Sequence, residues 1–141
     1  MKRVALSLSA ALALGGCIGD VMNTKPEVRG LEGAAPVQTL TDPASPTDVT
    51  LRPDGKLVVR LTSNPTTGYY WSQISGDGSI VALISEGYLA DPAPAGMVGT
   101  GGTQEFTFNA IRKGRTEIVL SYQRHESDVA DTLNLKVKVI E

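Results

Sequence analysis

From about Thr47 onward, apolar and polar residues alternate almost one for one. Leu57, Val59 and Leu61 are interleaved with Val58, Arg60 and Thr62. Phe106, Phe108 and Ala110 are interleaved with Thr107 and Asn109. Ile118, Leu120 and Tyr122 alternate with Glu117, Val119 and Ser121, and Leu133, Leu135, Val137 and Val139 with Asn134, Lys136 and Lys138. A period of two, rich in β-branched residues, predicts strands with one buried face. Turn signals fall between the runs: Arg52-Pro53-Asp54-Gly55, Asn64-Pro65, Gly76-Asp77-Gly78 and Arg112-Lys113-Gly114. Short strands at this spacing imply an all-β sandwich or barrel. Residues 79–89 are ambiguous, since Ile80-Val81-Ala82-Leu83-Ile84 suits a buried strand or a short helix. Valine and isoleucine between Gly78 and Gly87 favour the strand. No internal repeat is visible.

The first 46 residues follow a different plan. Met1-Lys2-Arg3 is a short positive stretch, residues 4–14 form an apolar run, and Leu14-Gly15-Gly16 precedes Cys17. This is the layout of an export signal over residues 1–16. Eleven residues of helix reach only about 16 Å, too short for a hydrocarbon layer of about 30 Å. Leu14-Gly15-Gly16-Cys17 resembles a bacterial lipobox, which implies a lipid on Cys17 and an anchored, exported protein. Ile18 follows, where an Asp resembles an inner-membrane retention signal, so the outer membrane is expected in a Gram-negative cell. Residues 17–46 carry Pro26, Pro36, Pro43 and Pro46 without periodicity. They read as a flexible tether, with a short ordered strand near residues 37–40 as the alternative. The domain is then residues 47–141.

Composition narrows the chemistry. The chain has 141 residues, 41% apolar and 20% charged, with a formal net charge of -2. Removing the first sixteen residues leaves 11 basic against 15 acidic. A mildly acidic chain without a basic cluster is ill-suited to nucleic acid. One cysteine and one histidine exclude an internal disulfide and argue against a structural zinc site. No cofactor motif is present, and a monomer is the simplest expectation.

Three connections carry the candidate chemistry. In Asn64-Pro65-Thr66-Thr67-Gly68, Asn-Pro starts a turn and Gly68 permits a positive φ. Thr66 and Thr67 are expected at the tip. Tyr69-Tyr70-Trp71 follows, and of these Trp71 is expected in the core and at least one tyrosine outside. Gly99-Thr100-Gly101-Gly102 lets backbone approach a partner closely. It precedes a strand pattern and not a helix, which disfavours a phosphate cradle. Residues 90–98, with Pro92 and Pro94, read as an exposed loop. The third connection, about residues 123–130, holds Arg124, His125, Glu126 and Asp128. His125 with Ser121 or Ser127 and Asp128 has the residue types of a hydrolase triad. All lie in one loop and its flank, whereas a triad needs separate elements to converge, so no catalytic residue is assigned.

Together these loops resemble the chagasin family of cysteine protease inhibitors. Asn64 through Trp71 matches its Asn-Pro-Thr-Thr-Gly and aromatic-x-Trp pattern, and Gly99-x-Gly101-Gly102 before Phe106 and Phe108 matches its second motif. In the third, Gly114, Tyr122 and Arg124 fit, but His125 and Glu126 stand where Pro and an aromatic belong. The resemblance implies an immunoglobulin-like β-sandwich with three inhibitory loops at one end. It implies that Asn64, Pro65, Thr66, Thr67, Gly68 and Tyr69, with Gly99, Thr100, Gly101, Gly102, Arg124 and His125, meet a papain-like cysteine protease. Loss of the aromatic implies reduced affinity or a narrower target range. A non-inhibitory envelope binding or scaffold lipoprotein on the same fold is the alternative, since fold does not dictate function.

Overall fold

The computed structural model describes residues 35–141. The export signal, Cys17 and residues 18–34 of the expected tether lie outside the described residues. Eight strands follow in order: β1 Val37–Thr41, β2 Thr47–Leu51, β3 Lys56–Ser63, β4 Tyr70–Ser75, β5 Val81–Ala90, β6 Gly102–Ala110, β7 Gly114–His125 and β8 Asp128–Val139. One sheet has the order β1-β3-β6-β5 and the other β2-β8-β7-β4. Pairing is antiparallel except that β1 lies parallel to β3 and β2 parallel to β8. The ambiguous apolar segment is a strand, β5, which runs through Gly87 to Ala90.

Alternation decides which side of each strand is buried. On the first sheet, Leu57 pairs with Phe108, Val59 with Phe106 and Leu61 with Gln104, and all six are buried. On the second, Ile118 pairs with Leu135 and Leu120 with Leu133, again all buried. Trp71, Val81, Val49, Leu51, Val137 and Val139 complete the layer between the sheets. Each large apolar side chain moved from water into that layer contributes about 1.5–3 kcal/mol. The outer faces carry Arg60, Glu105, Lys136 and Lys138, all exposed or half-buried, as expected when one face of a sheet packs and the other is wet.

Two boundaries differ from the reading by pattern. Residues 37–41, expected within the tether, form β1 and extend the first sheet by one strand. Lys56 N–H donates to the Pro36 carbonyl, and the Asp42 carboxylate accepts from both Thr62 N–H and Thr62 Oγ1. Only Leu40 of β1 packs against the core, so the segment shows little apolar periodicity although its backbone is paired. The third connection is also much shorter than eight residues. Strands β7 and β8 continue to His125 and from Asp128, joined by Glu126 and Ser127 alone. Its residues are polar because that end of the hairpin is exposed, not because the chain leaves the sheet.

Candidate functional site

Register brings the three connections to one pole. Ser63, the last residue of β3, pairs with Gly102, the first of β6. Tyr70, the first residue of β4, pairs with Gln123 near the end of β7. The β3–β4, β5–β6 and β7–β8 connections therefore leave the sandwich together.

The β3–β4 connection is rigid by its own chemistry. Asn64 caps a 3-10 turn at Pro65–Thr67, and its Oδ1 accepts from Thr66 N–H at 3.3 Å. The Asn64 carbonyl accepts from Thr67 N–H at 3.1 Å and from Thr67 Oγ1 at 2.7 Å. Proline in the first turn needs no donor there and has its φ already fixed. Gly68 closes the turn at φ 84°, donating its N–H to the Pro65 carbonyl at 2.9 Å. That conformation is costly for other residues. A Cβ at 68 would also lie 3.3 Å from Arg124 Nε. Pro65, Thr66 and Thr67 are left exposed at the tip.

Neighbouring loops hold this turn from both sides. Asn64 Nδ2 donates to the Gly99 carbonyl at 3.2 Å, tying it to the glycine-rich loop. Asn64 N–H donates to the Tyr122 hydroxyl at 2.9 Å. From the other side Arg124 Nη2 donates to the Thr67 carbonyl at 3.1 Å, while its guanidinium stands 4.6 Å from the centre of the Tyr69 ring. Tyr69 in turn donates its hydroxyl to Asp128 Oδ1 at 2.7 Å, and Asp128 Oδ2 lies 3.5 Å from Arg124 Nη1. The hydrogen bond to Asp128 raises the Tyr69 phenol above its ordinary pKa, with desolvation second. Tyr69, Tyr122 and Trp71 form one column of rings, with centroids 5.6 Å and 5.1 Å apart.

The structure thus sorts the residues read from the sequence. Pro65, Thr66, Thr67, Gly68, Gly99 and His125 face solvent, whereas Thr100 and Gly101 are half-buried. Asn64 and Tyr69 are half-buried and occupied by the internal bonds above, and Arg124 spends its guanidinium on Thr67, Tyr69 and Asp128. Gly102 is buried inside β6, where a Cβ would collide with the Leu89 carbonyl oxygen. Its place in the structure is therefore a packing position at the root of the glycine-rich loop. Trp71 is buried and donates Nε1–H to the Thr62 carbonyl at 3.0 Å, and Tyr70 is the outward tyrosine at 49% exposure.

Several participants were missed. Met97 and Val98 are 62% and 95% exposed on the β5–β6 connection, apolar side chains with no core to fill. They sit directly before Gly99, and their isolation between Gly96 and Gly99 was the available signal. Gln104 was missed as well, and the bonds that Asp128 and Tyr122, both named above, make to Tyr69 and Asn64 join residues distant in sequence, which no local pattern marks. The histidine cluster has no catalytic geometry. Ser127 Oγ lies 2.9 Å from His125 Nδ1, but Asp128 is 4.0 Å from Nε2 and already engaged. Ser121 is buried and bonded to Gln123.

Comparison with known proteins places this architecture. Residues 50–139 match the model of the chagasin family of peptidase inhibitors, I42. Amoebiasin-2 of Entamoeba histolytica is 35% identical over 66 residues, which covers 47% of this chain and 53% of that protein. The match therefore spans about half the length of that curated relative. The crystal structure of the cysteine protease inhibitor EhICP2 from Entamoeba histolytica superposes with a TM-score of 0.66 at 24% identity, over 75% of this chain and 97% of the other. PbICP-C, solved in complex with falcipain-2, gives a TM-score of 0.56 at 15% identity, over 75% of this chain and 100% of the other. At those identities the two structures speak for the fold.

Proposed function

This chain belongs to the chagasin family of peptidase inhibitors, and from that membership we propose that it is a reversible protein inhibitor of papain-like cysteine proteases, closing the active-site cleft with the three loops of one pole. The observation that carries this reading is the cross-bonding of the loops. Asn64 bonds the β3–β4 turn to Gly99, and Arg124 bonds it to the β7–β8 turn. A wedge already bonded in its working shape loses little conformational entropy on binding. The exposed tip of Pro65, Thr66 and Thr67 enters deepest, flanked by Gly99, Thr100 and the neighbouring Met97 and Val98 on one side and His125 on the other. A turn entering end-on presents no extended strand along the cleft, so no peptide carbonyl lies where the thiolate attacks, and the loop blocks without being cut. An interface of standard size, about 1,600 Å², supports such a complex, with affinity set by a few central contacts.

The proposal extends to location. Cys17, following Leu14-Gly15-Gly16, carries lipid and anchors the exported inhibitor to the envelope, at the outer membrane in a Gram-negative cell.

The test is inhibition of papain and of a cathepsin-L-type enzyme by the purified full chain. Tight, reversible inhibition that is lost when Thr66 and Gly68 are replaced is the expected result. A folded chain that leaves both enzymes active at micromolar concentration would overturn the reading in favour of a non-inhibitory envelope role on the same fold.

A further inference from the structure

Gln104 is the one amide side chain among the buried residues of the described chain, residues 35–141, in a sequence position where β6 otherwise points Phe106, Phe108 and Ala110 into the core. A buried carboxamide is costly unless it is fully bonded. Its environment accounts for every one of its bonding sites. Oε1 accepts from Trp71 N–H at 2.9 Å and from Ser63 Oγ at 3.4 Å. Nε2 donates to the Trp71 carbonyl at 2.7 Å and to Glu86 Oε1 at 2.8 Å. Two acceptor positions and two donors exhaust the group. The orientation of the amide is dictated by its partners, since Trp71 N–H can only donate and the Trp71 carbonyl can only accept.

The location gives those bonds a purpose. Trp71 lies on β4, an edge strand of the second sheet, and Gln104 on β6 of the first. The side chain takes the place of a neighbouring strand for Trp71, and so bolts the two sheets together at the loop pole. Ser63 immediately precedes the Asn64 turn, Trp71 follows it closely, and Gly102 ends the glycine-rich loop two residues before Gln104. We infer that Gln104 is a positioning residue for the inhibitory pole, fixing both roots of the Asn64-Pro65-Thr66-Thr67-Gly68 turn against the root of the glycine-rich loop; its activity readout rests on the inhibitor reading above.

Two variants of the full chain test this, Gln104→Met and Gln104→Glu, each compared with the unaltered chain for inhibition of papain and for amide hydrogen exchange at residues 66–69. Gln104→Met keeps the volume and removes the bonds. It is expected to weaken inhibition by about tenfold or more, the effect of losing one or two net hydrogen bonds, with faster exchange confined to the loop pole. Gln104→Glu is nearly isosteric. Protonated, it still accepts from Trp71 N–H and donates to the Trp71 carbonyl. Ionised, it has no donor and faces the Glu86 carboxylate. Burial and that neighbour raise its pKa above the usual value of about 4.3. Its inhibition constant, divided by that of the unaltered chain at the same pH, is expected to rise by about tenfold between acid and neutral pH.

Near-normal inhibition and exchange by folded Gln104→Met would overturn the inference. So would exchange that quickens uniformly across the domain, the sign of a merely structural role. Should Gln104→Met not fold, Gln104→Glu decides, and a flat pH ratio would overturn the inference. Localised exchange changes in a chain that never inhibits papain would uphold the positioning role while the inhibitor reading fell.

Discussion

Tyr69 links an exposed pole to the column of rings beneath it, through a hydroxyl on Asp128 and a ring face under Arg124. The exposed Arg124–Asp128 pair alone is worth little, as surface ion pairs usually are. What raises its value is that the same two residues grip Tyr69 and the Thr67 carbonyl. Tyr69→Phe keeps the rings and removes one hydrogen bond, so it is expected to lower the denaturant midpoint modestly at neutral pH. The pH dependence follows from the phenol. Its folded-state pKa is raised above the ordinary phenol value of about 10, so the contribution is full below that ordinary value and is lost as pH rises through the higher folded one. Denaturant midpoints measured from neutral to strongly alkaline pH are therefore expected to converge for the unaltered chain and Tyr69→Phe. A gap that stays constant with pH would show that the hydroxyl is not the source. None of this was readable from Tyr69-Tyr70-Trp71 as a run of aromatics. Alternation places Trp71 inside and Tyr70 outside, but Tyr69 lies before β4 begins and takes its place from β7 and β8.

At the scale of elements, legibility tracked burial. β3, β6, β7 and β8 each set three or more apolar residues at alternate positions into the core, and the sequence displays that periodicity. β1 displays none, because only Leu40 turns inward and the remainder of Val-Gln-Thr-Leu-Thr is exposed. Its place is secured by backbone pairing with β3, by the Pro36 carbonyl on Lys56 and by Asp42 on Thr62. Sequence pattern records side-chain burial and is blind to backbone bonds of this kind. A chain beginning at residue 46, near the boundary that pattern draws, loses that strand and leaves β3 as an open edge. It is expected to unfold at a lower denaturant midpoint than one beginning at residue 35, by about 2 kcal/mol or more for the lost bonds and the Leu40 contact. Concentration-dependent association should accompany the loss, since an unpaired edge recruits other chains. Equal midpoints would mean that β1 is an ornament of the sheet. The β7–β8 connection failed in the opposite sense: Arg124, His125 and Asp128 read as a loop, yet they are strand residues whose side chains build the pole.

The direction of β1 has a consequence for the molecule as a whole. β1 runs parallel to β3, with Val37 beside Lys56 and Thr41 beside Arg60, and β3 ends at the loop pole. The chain therefore enters the domain at the far pole, remote from Pro65, Thr66 and Thr67. Eighteen peptide units separate Cys17 from residue 35, which bounds their span at roughly 65 Å. A lipid on Cys17 would thus be joined to the sandwich at the pole opposite those loops, which leaves them free to meet a soluble protease. The unaltered chain is expected in the membrane fraction of the producing cell, and Cys17→Ser in the soluble fraction. If entry at the far pole is what matters, membrane-bound and released forms should titrate added papain with the same inhibition constant within about twofold. A lipidated chain that sediments with membrane but inhibits more weakly than Cys17→Ser would mean that the bilayer obstructs the pole, and that the anchor serves to restrict the inhibitor to targets already at the surface.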